Sequence, residues 1–327
     1  MAHDYELKYF DNIKSKEIDW LWYPYLPYGK ITIIQGDPGE GKTTMLLSLI
    51  SYLSNGNPLP FSYTKMTAVS IYQNAEDDTA DTIKPKLESH NANCNNICYI
   101  EKKDELLLIN DESIEETIVK SGAKLFVLDP IQAFIGDNVD MNRANVIRPR
   151  MNKLKEITQS TGCAIVLVGH MKKNYSGKSN YRNLGSIDIS AAARSVLVVG
   201  RLSKSSEIKI LLQLKNNLAP RGKSITFQIE NRTVKWLSEY SLTADDILST
   251  NPYNENSKRA IAENLIRLNL EDGIKSAKSI FAKAQDQGIS IRTLKSVKAT
   301  MSVSSIKKNG IWYWEMNSKE VKNNAEQ

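Results

Sequence analysis

Residues 31–50 read Ile31-Thr32-Ile33-Ile34-Gln35-Gly36-Asp37-Pro38-Gly39-Glu40-Gly41-Lys42-Thr43-Thr44-Met45-Leu46-Leu47-Ser48-Leu49-Ile50. An apolar, β-branched run leads into a glycine-rich turn with GxxxxGK(S/T) spacing over 36–43, and a helix-forming stretch follows. That order of strand, loop and helix is the context that makes the pattern a phosphate-binding loop. Gly36, Gly39 and Gly41 admit backbone angles closed to other residues, so successive N–H groups can turn inward around phosphate oxygens. The loop also opens a helix, whose unsatisfied donors and dipole favour an anion. Lys42 has the reach for β- and γ-phosphates and the Thr43 hydroxyl suits Mg2+, so residues 36–44 are expected to hold ATP with its metal.

Working outward, apolar β-rich runs alternate with helix-period stretches from residue 31 to 200, the rhythm of a mostly parallel sheet with crossover helices. Strands are expected at 31–35, 67–73, 97–100, 124–128, 163–168 and 195–200, and helices near 42–54, 79–89, 112–121 and 149–159. Residues 207–214, 224–230 and 233–237 read as consecutive strands, so the sheet is expected to end in antiparallel additions. The texture turns to Ser, Thr, Asn and Asp over 239–256, as in a linker. Helical patterns at 257–269, 274–286 and 290–300 follow, with Ser290 as a cap, and then strand, turn and strand over 303–314. That is the order of a winged helix-turn-helix, expected over 257–318 before a polar tail at 319–327.

The 327-residue chain has room for one large and one small domain. Three cysteines, Cys94, Cys98 and Cys163, give no disulfide framework and point to a reducing, cytoplasmic setting. His90, Cys94 and Cys98 are evenly spaced, but Cys98 opens an apolar run and no fourth Cys or His lies nearby, so a loop and strand are favoured over a metal site. The N-terminus lacks a signal-peptide pattern, and no apolar run of about 18 residues suggests a membrane span. Net charge is +6, too small alone to imply nucleic acid.

Carboxylates with a role in nucleotide chemistry belong at the C-terminal edge of such a sheet. Asp129 ends the strand 124–128 and is expected to hold the Mg2+ shell with Thr43. Glu76, in Gln73-Asn74-Ala75-Glu76-Asp77-Asp78, is the first carboxylate after its strand and is placed to orient or deprotonate the attacking water. Asp77 and Asp78 are rivals, or caps for the next helix. His170 follows the strand 163–168, where a neutral imidazole can sense the γ-phosphate.

Together, Trp20-Leu21-Trp22-Tyr23-Pro24-Tyr25-Leu26-Pro27-Tyr28-Gly29-Lys30 before the loop, Ala75-Glu76-Asp77, Leu128-Asp129-Pro130-Ile131-Gln132-Ala133-Phe134, Val168-Gly169-His170 and Leu214-Lys215-Asn216-Asn217-Leu218-Ala219-Pro220 resemble the RecA-fold ATPases of the RepA type. These are hexameric replicative helicases and related ATPases of plasmids and prophages. The resemblance spans roughly residues 18–237. It implies an α/β, RecA-like P-loop NTPase core over 1–238, with 1–17 as an extension, joined to a small C-terminal winged-helix-like domain. It also implies a homohexameric ring with nucleotide at subunit interfaces. In it, Lys42, Glu76, Asp129 and His170 take catalytic roles, and Lys215 matches the lysine that reaches into a neighbour's site. Relatives in the wider DnaB-like group carry an arginine two residues after that lysine; here Asn217 stands there, and Arg201 and Arg194 are the substitutes.

Single-stranded DNA is the implied partner. Residues 171–187 carry Lys172, Lys173, Lys178 and Arg182 with two tyrosines and no acid before Ile187, a mixture that lets cations track phosphates while rings stack on bases. In the family that loop faces the ring's channel; residues 136–148, with Arg143 and Arg148, are expected to form a second channel loop. In the C-terminal unit Arg292, Lys295, Lys298, Lys307 and Lys308 make a one-signed surface suited to duplex DNA, with a replication protein as the other possible partner. The leading expectation is a DNA helicase or translocase ATPase. The alternative is an ATP-switched DNA-binding or helicase-loading protein without unwinding. A P-loop kinase would need an acceptor-binding lid, for which no segment stands out.

Overall fold

The computed structural model describes residues 7–102, 107–136, 139–141, 143–170, 187–201, 207–240, 255–270, 273–286 and 289–316. After an exposed stretch over 7–19, β1 (Trp20–Trp22) and β2 (Leu26–Pro27) pair as a small hairpin, an element the hydrophobic periodicity did not announce. Next come β3 (Ile31–Gly36), α1 (Lys42–Ser54), β4 (Ser70–Asn74), a π-helical turn Thr79–Ile83 running into α2 (Lys84–Ser89), β5 (Ile97–Cys98), α3 (Glu112–Ser121) and β6 (Leu125–Asp129). The core closes with α4 (Ala144–Thr161), β7 (Ala164–His170), α5 (Ile187–Ala192), β8 (Ser195–Arg201), β9 (Lys209–Asn216), β10 (Ser224–Glu230) and β11 (Thr233–Tyr240).

These strands form one sheet in the order β11-β10-β9-β8-β3-β7-β6-β4-β5. From β8 to β5 every neighbouring pair is parallel, and from β8 to β11 every pair is antiparallel, the antiparallel extension expected from the sequence. The parallel strands are apolar on both faces because helices cover both. Ile34, Leu125, Val127, Val166 and Val168 pack against Met45, Leu46 and Leu49 of α1 and Leu87 of α2. Phe126, Leu128, Ile165 and Leu167 pack on the opposite face with Ile114 and Ile118 of α3 and Ile147, Met151, Leu154 and Ile157 of α4.

The expected helix 149–159 begins at Ala144 instead. Pro149 lies inside it, and the apolar stripe Ile147, Met151, Leu154, Ile157 crosses the proline without a break. Burying that stripe outweighs the one backbone hydrogen bond that the proline lacks. Residues 144–148 of the loop expected at 136–148 thus belong to the helix, and Arg148 is a helical residue. The strand expected at 67–73 is Ser70–Asn74, with Thr67 to Val69 outside the ladder.

In the C-terminal unit, α6 (Glu255–Leu270), α7 (Ala277–Asp286) and α8 (Ile291–Thr300) pack around Ile261, Leu265, Ile266, Ile280, Ala284, Leu294, Val297 and Trp314. A three-stranded antiparallel sheet completes it, β12 (Lys275–Ser276) and β13 (Val303–Lys308) flanking β14 (Ile311–Met316). The helix expected from 274 starts at Ala277 because Lys275 and Ser276 pair with Trp314 and Tyr313. Ser290 caps α8, its side chain accepting the Thr293 N–H. Among the described residues no helix is long and apolar enough to cross a membrane.

Candidate nucleotide site

The parallel strands β3, β4, β6 and β7 all end at one edge of the sheet, and their register brings the predicted residues together. Gly36 lies opposite His170, and Asn74 opposite Asp129. The loop after β3 depends on glycine in two places. Gly39 and Gly41 have φ of 78° and 83°, the left-handed region that other side chains avoid. Gly41 is also the N-cap of α1, so the loop's amides lead directly into the helix N-terminus.

Lys42 is buried and folds back over the loop, donating to the carbonyls of Gly36 at 2.9 Å and Asp37 at 3.0 Å. Burial lowers its pKa, opposed by the nearby carboxylates of Asp129, Asp37, Glu40 and Glu76. Its Nζ is also 3.4 Å from His170 Nδ1. An ammonium group only donates, so Nδ1 accepts and the ring proton of a neutral His170 sits on Nε2. Nε2 faces Glu76 Oε1 at 3.6 Å, too long for a hydrogen bond but close enough for a small motion to make one.

Asp129 is 5 % exposed. Its Oδ2 accepts hydrogen bonds from the Thr43 hydroxyl at 2.7 Å and the Tyr72 hydroxyl at 2.7 Å. Burial pushes its carboxyl above the ordinary value, while those two hydroxyls and the Lys42 ammonium pull it down. The donor set fits a hard divalent cation, because a hydroxyl and a buried carboxylate are oxygen ligands already drawn together at the phosphate loop.

Three acids follow β4, and the structure separates them. Asp78 caps the π-helical turn, accepting the N–H groups of Ala80 and Asp81, and Asp77 pairs with Lys86 at 3.0 Å. Glu76 alone of the three is set against His170. His90 belongs to the fold, since Nδ1 donates to the Lys86 carbonyl and Nε2 accepts the Val234 N–H.

Lys215 and Arg201, expected to act on a neighbour, contact their own chain. Arg201, at the end of β8, contacts Glu40 of its own phosphate loop at 3.1 Å, the strand end lying beside that loop. Lys209 on β9 joins it, 3.3 Å from Glu40 Oε2 and 3.5 Å from the Gly39 carbonyl. Lys215 donates to the carbonyls of Ser190 and Ala193 at 2.9 and 2.8 Å, and its pKa is lowered by burial and then by Arg194.

Of the expected nucleic-acid contacts, Lys172, Lys173, Lys178 and Arg182 lie outside the described residues. Arg143 is exposed just before α4, 3.9 Å from Asp140. Arg148, expected on a loop, pairs from α4 with Asp188 at 3.0 Å. In the C-terminal unit Arg292 and Lys308 are exposed. Lys295, Lys298 and Lys307 lie 5.9, 5.3 and 5.8 Å from the ring centres of Phe281, Trp314 and Trp312, so these cations are seated on aromatic faces.

Sequence reading passed over Tyr72, Asn74 and Lys209. Asn74 had a local signal, an Asn two residues ahead of an acid, and its side chain does accept the N–H groups of Glu76 and Asp77. Tyr72 and Lys209 sit in apolar strands, where one polar side chain carries no periodic signature.

Sequence comparison matches residues 9–176 to a family described as an AAA domain, AAA_25. The DNA repair protein RadA of Campylobacter jejuni is 25 % identical over 174 residues, 52 % of this chain and 35 % of that protein. Protein RecA of Mannheimia haemolytica is 22 % identical over 215 residues, 62 % of this chain and 56 % of that one. The chain thus spans between about a third and just over half the length of these curated relatives. Among solved structures, a KaiC-like protein from Pyrococcus horikoshii OT3 is similar, 17 % identical with a TM-score of 0.49 over 65 % of this chain and 91 % of that one.

Proposed function

Because the chain belongs to the AAA_25 family of AAA domains and is similar to RadA and RecA proteins, a RecA-fold ATPase kinship, we propose that it binds and hydrolyses ATP at the sheet edge just described. The observation that carries this reading is the meeting of Lys42, Thr43, Asp129, Glu76 and His170 from four separate segments at the C-terminal ends of adjacent parallel strands. Gly36, Asp37, Pro38, Gly39, Glu40, Gly41 and Thr44 complete the phosphate cradle.

The chemistry follows from the groups present. Backbone amides of the loop and the N-terminus of α1 bind the phosphates. Lys42 exchanges its two loop carbonyls for phosphate oxygens, which return the acceptors a buried ammonium needs. Thr43 and Asp129 would hold Mg2+, which neutralises charge on the phosphates when bound. Glu76 takes the proton of the attacking water as oxygen bonds to the γ-phosphorus and the bond to ADP breaks. His170, touching Lys42 on one side and facing Glu76 on the other, senses whether a γ-phosphate is present; it is the last residue of β7, directly before the basic segment 171–186.

The finer reading is a cytoplasmic, ring-forming helicase or translocase acting on single-stranded DNA, of the kind that serves plasmid or prophage replication. Resemblance of the ordered motifs to RepA-type ATPases supports it. So do the basic residues of 171–186 and Arg143. The C-terminal unit is read as a winged helix that contacts duplex DNA or a replication protein, with α8 and the β13–β14 hairpin as its basic face. ATP turnover by the purified chain, rising with single-stranded DNA and accompanied by strand displacement, is the expected result. Binding of ATP without turnover in the presence of DNA would defeat it.

A second reading is favoured by one observation. Lys215 is turned onto its own chain's carbonyls and Asn217 replaces an arginine, so the cation supplied to a neighbouring site is weak. That suits an ATP-switched DNA-binding or loading protein, for which DNA would be bound in an ATP-dependent way but no strand displaced.

A further inference from the structure

Tyr72 is buried in β4, and its hydroxyl does two things at once. It donates to Asp129 Oδ2 at 2.7 Å and lies 3.4 Å from Asn74 Nδ2, which donates to it. Asn74 in turn uses Oδ1 to accept the N–H groups of Glu76 at 3.0 Å and Asp77 at 2.7 Å. The neighbouring Ala75 N–H donates to the Asp129 carbonyl at 3.2 Å. A continuous path of hydrogen bonds therefore runs from Thr43 through Asp129, Tyr72 and Asn74 to the backbone of Glu76. Its middle members are buried or half-buried, where such bonds are strong and the loss of one partner is costly.

We propose that Tyr72 and Asn74 are positioning residues that tie the metal-side carboxylate Asp129 to the general base Glu76, so that the two are set as a unit. This rests on the ATPase reading. Tyr72 fixes the rotation of the Asp129 carboxylate, which two hydroxyls grip by the same oxygen. Asn74 fixes the turn that points Glu76 toward His170. A shift of Asp129 on metal binding is carried through one phenol to the loop that bears the base, across the paired strands β4 and β6.

Equilibrium binding of a fluorescent ADP, with and without Mg2+, separates this role from a general packing role, with steady-state hydrolysis measured alongside. Tyr72→Phe keeps the ring and removes only the hydroxyl. It is expected to reduce both the Mg2+-dependent gain in affinity and kcat roughly tenfold, the scale of one hydrogen bond to a charged group, and to leave Mg2+-free affinity as in the wild type. Asn74→Ala is expected to lower kcat by a similar factor without changing the Mg2+-dependent gain. In the double variant the kcat losses should fall well short of multiplying, because the two residues lie on one path. Wild-type values of both quantities in Tyr72→Phe, or fully multiplicative losses in the double variant, overturn the coupling while ATP hydrolysis stands. Should the phenylalanine variant fail to fold, Asn74→Ala with unchanged kcat overturns it equally. A wild-type chain that shows no Mg2+-dependent nucleotide binding overturns the ATPase reading, and the coupling with it.

Discussion

The parallel and antiparallel halves of the sheet treat their charged residues in opposite ways. At the ends of β3, β4, β6 and β7, side chains from distant parts of the sequence aim at one another: Lys42 at His170, Thr43 and Tyr72 at Asp129, His170 at Glu76. Across β8 and β9 each cation is drawn back to its own chain, Arg201 and Lys209 onto Glu40, Lys215 onto two carbonyls beside α5. The parallel half carries a site whose groups are already in place. The antiparallel half either braces that site or holds a lysine that must leave its carbonyls before it can act elsewhere. Preorganised groups lower a barrier without further reorganisation, whereas Lys215 carries the cost of its release.

The largest effect expected from breaking the first half is that of Lys42→Ala. It removes the buried cation that folds over the loop, and hydrolysis should fall to the level of buffer alone, with nucleotide binding measured by fluorescence lost as well. Glu76→Gln tests a different part of the same half. Amide replaces carboxylate at nearly constant shape, so kcat is expected to fall by about 10² to 10⁴ while ADP binding stays near wild type. An equal loss of binding would mean that Glu76 serves the cradle and not the water.

The contrast with the antiparallel half is sharpened by Lys215→Ala. If the lysine works only within its own chain, removing two charge-assisted bonds lowers the melting temperature by a few degrees and leaves hydrolysis per folded molecule unchanged. If it serves a neighbour, hydrolysis falls by about tenfold or more, and mixing the variant with Lys42→Ala chains restores turnover at interfaces where each supplies what the other lacks. Size-exclusion measurements with an ATP analogue and single-stranded DNA decide whether such interfaces form.

How much of this was legible in the sequence follows the same division. The loop 36–44 and the strand-end position of Asp129 and His170 were readable because a phosphate cradle needs glycines at fixed spacing and a parallel strand announces its end by a break in apolar residues. Glu76 was favoured over Asp77 and Asp78 as the first carboxylate after its strand, whereas the capping and ion pairing that occupy the other two depend on where Ala80, Asp81 and Lys86 lie. The contact of Arg201 with Glu40 was hidden for the same reason: sequence gives the sign of a charge and not its partner. The helix expected near 149–159 begins earlier, at Ala144, because burial of the stripe from Ile147 to Ile157 is a tertiary effect that a local rule does not contain. Tyr72 left no trace in the pattern, being one more large residue in a buried strand.

The smallest expected effect is a displaced acid limb, and it links burial at Asp129 to function. Burial lifts that carboxyl above its ordinary 3.8, so the ligand-free folded chain binds more protons than the unfolded chain just above that pH. By linkage, its contribution to stability falls as pH rises through the window between 3.8 and the raised value. Metal-dependent nucleotide binding has the opposite sign, because the ionised carboxylate is the one that holds a cation. It should be complete above the raised pKa and be lost as pH falls through it, at a higher pH than an ordinary aspartate would give. In Tyr72→Phe one of the hydroxyls holding the carboxyl down is gone, so the limb should move further toward neutral pH. Titrating the Mg2+-dependent part of ADP binding in both proteins checks this. Coincident limbs would mean that the phenol contributes nothing to the charge state of Asp129, and that the parallel half is less tightly organised than its hydrogen bonds imply.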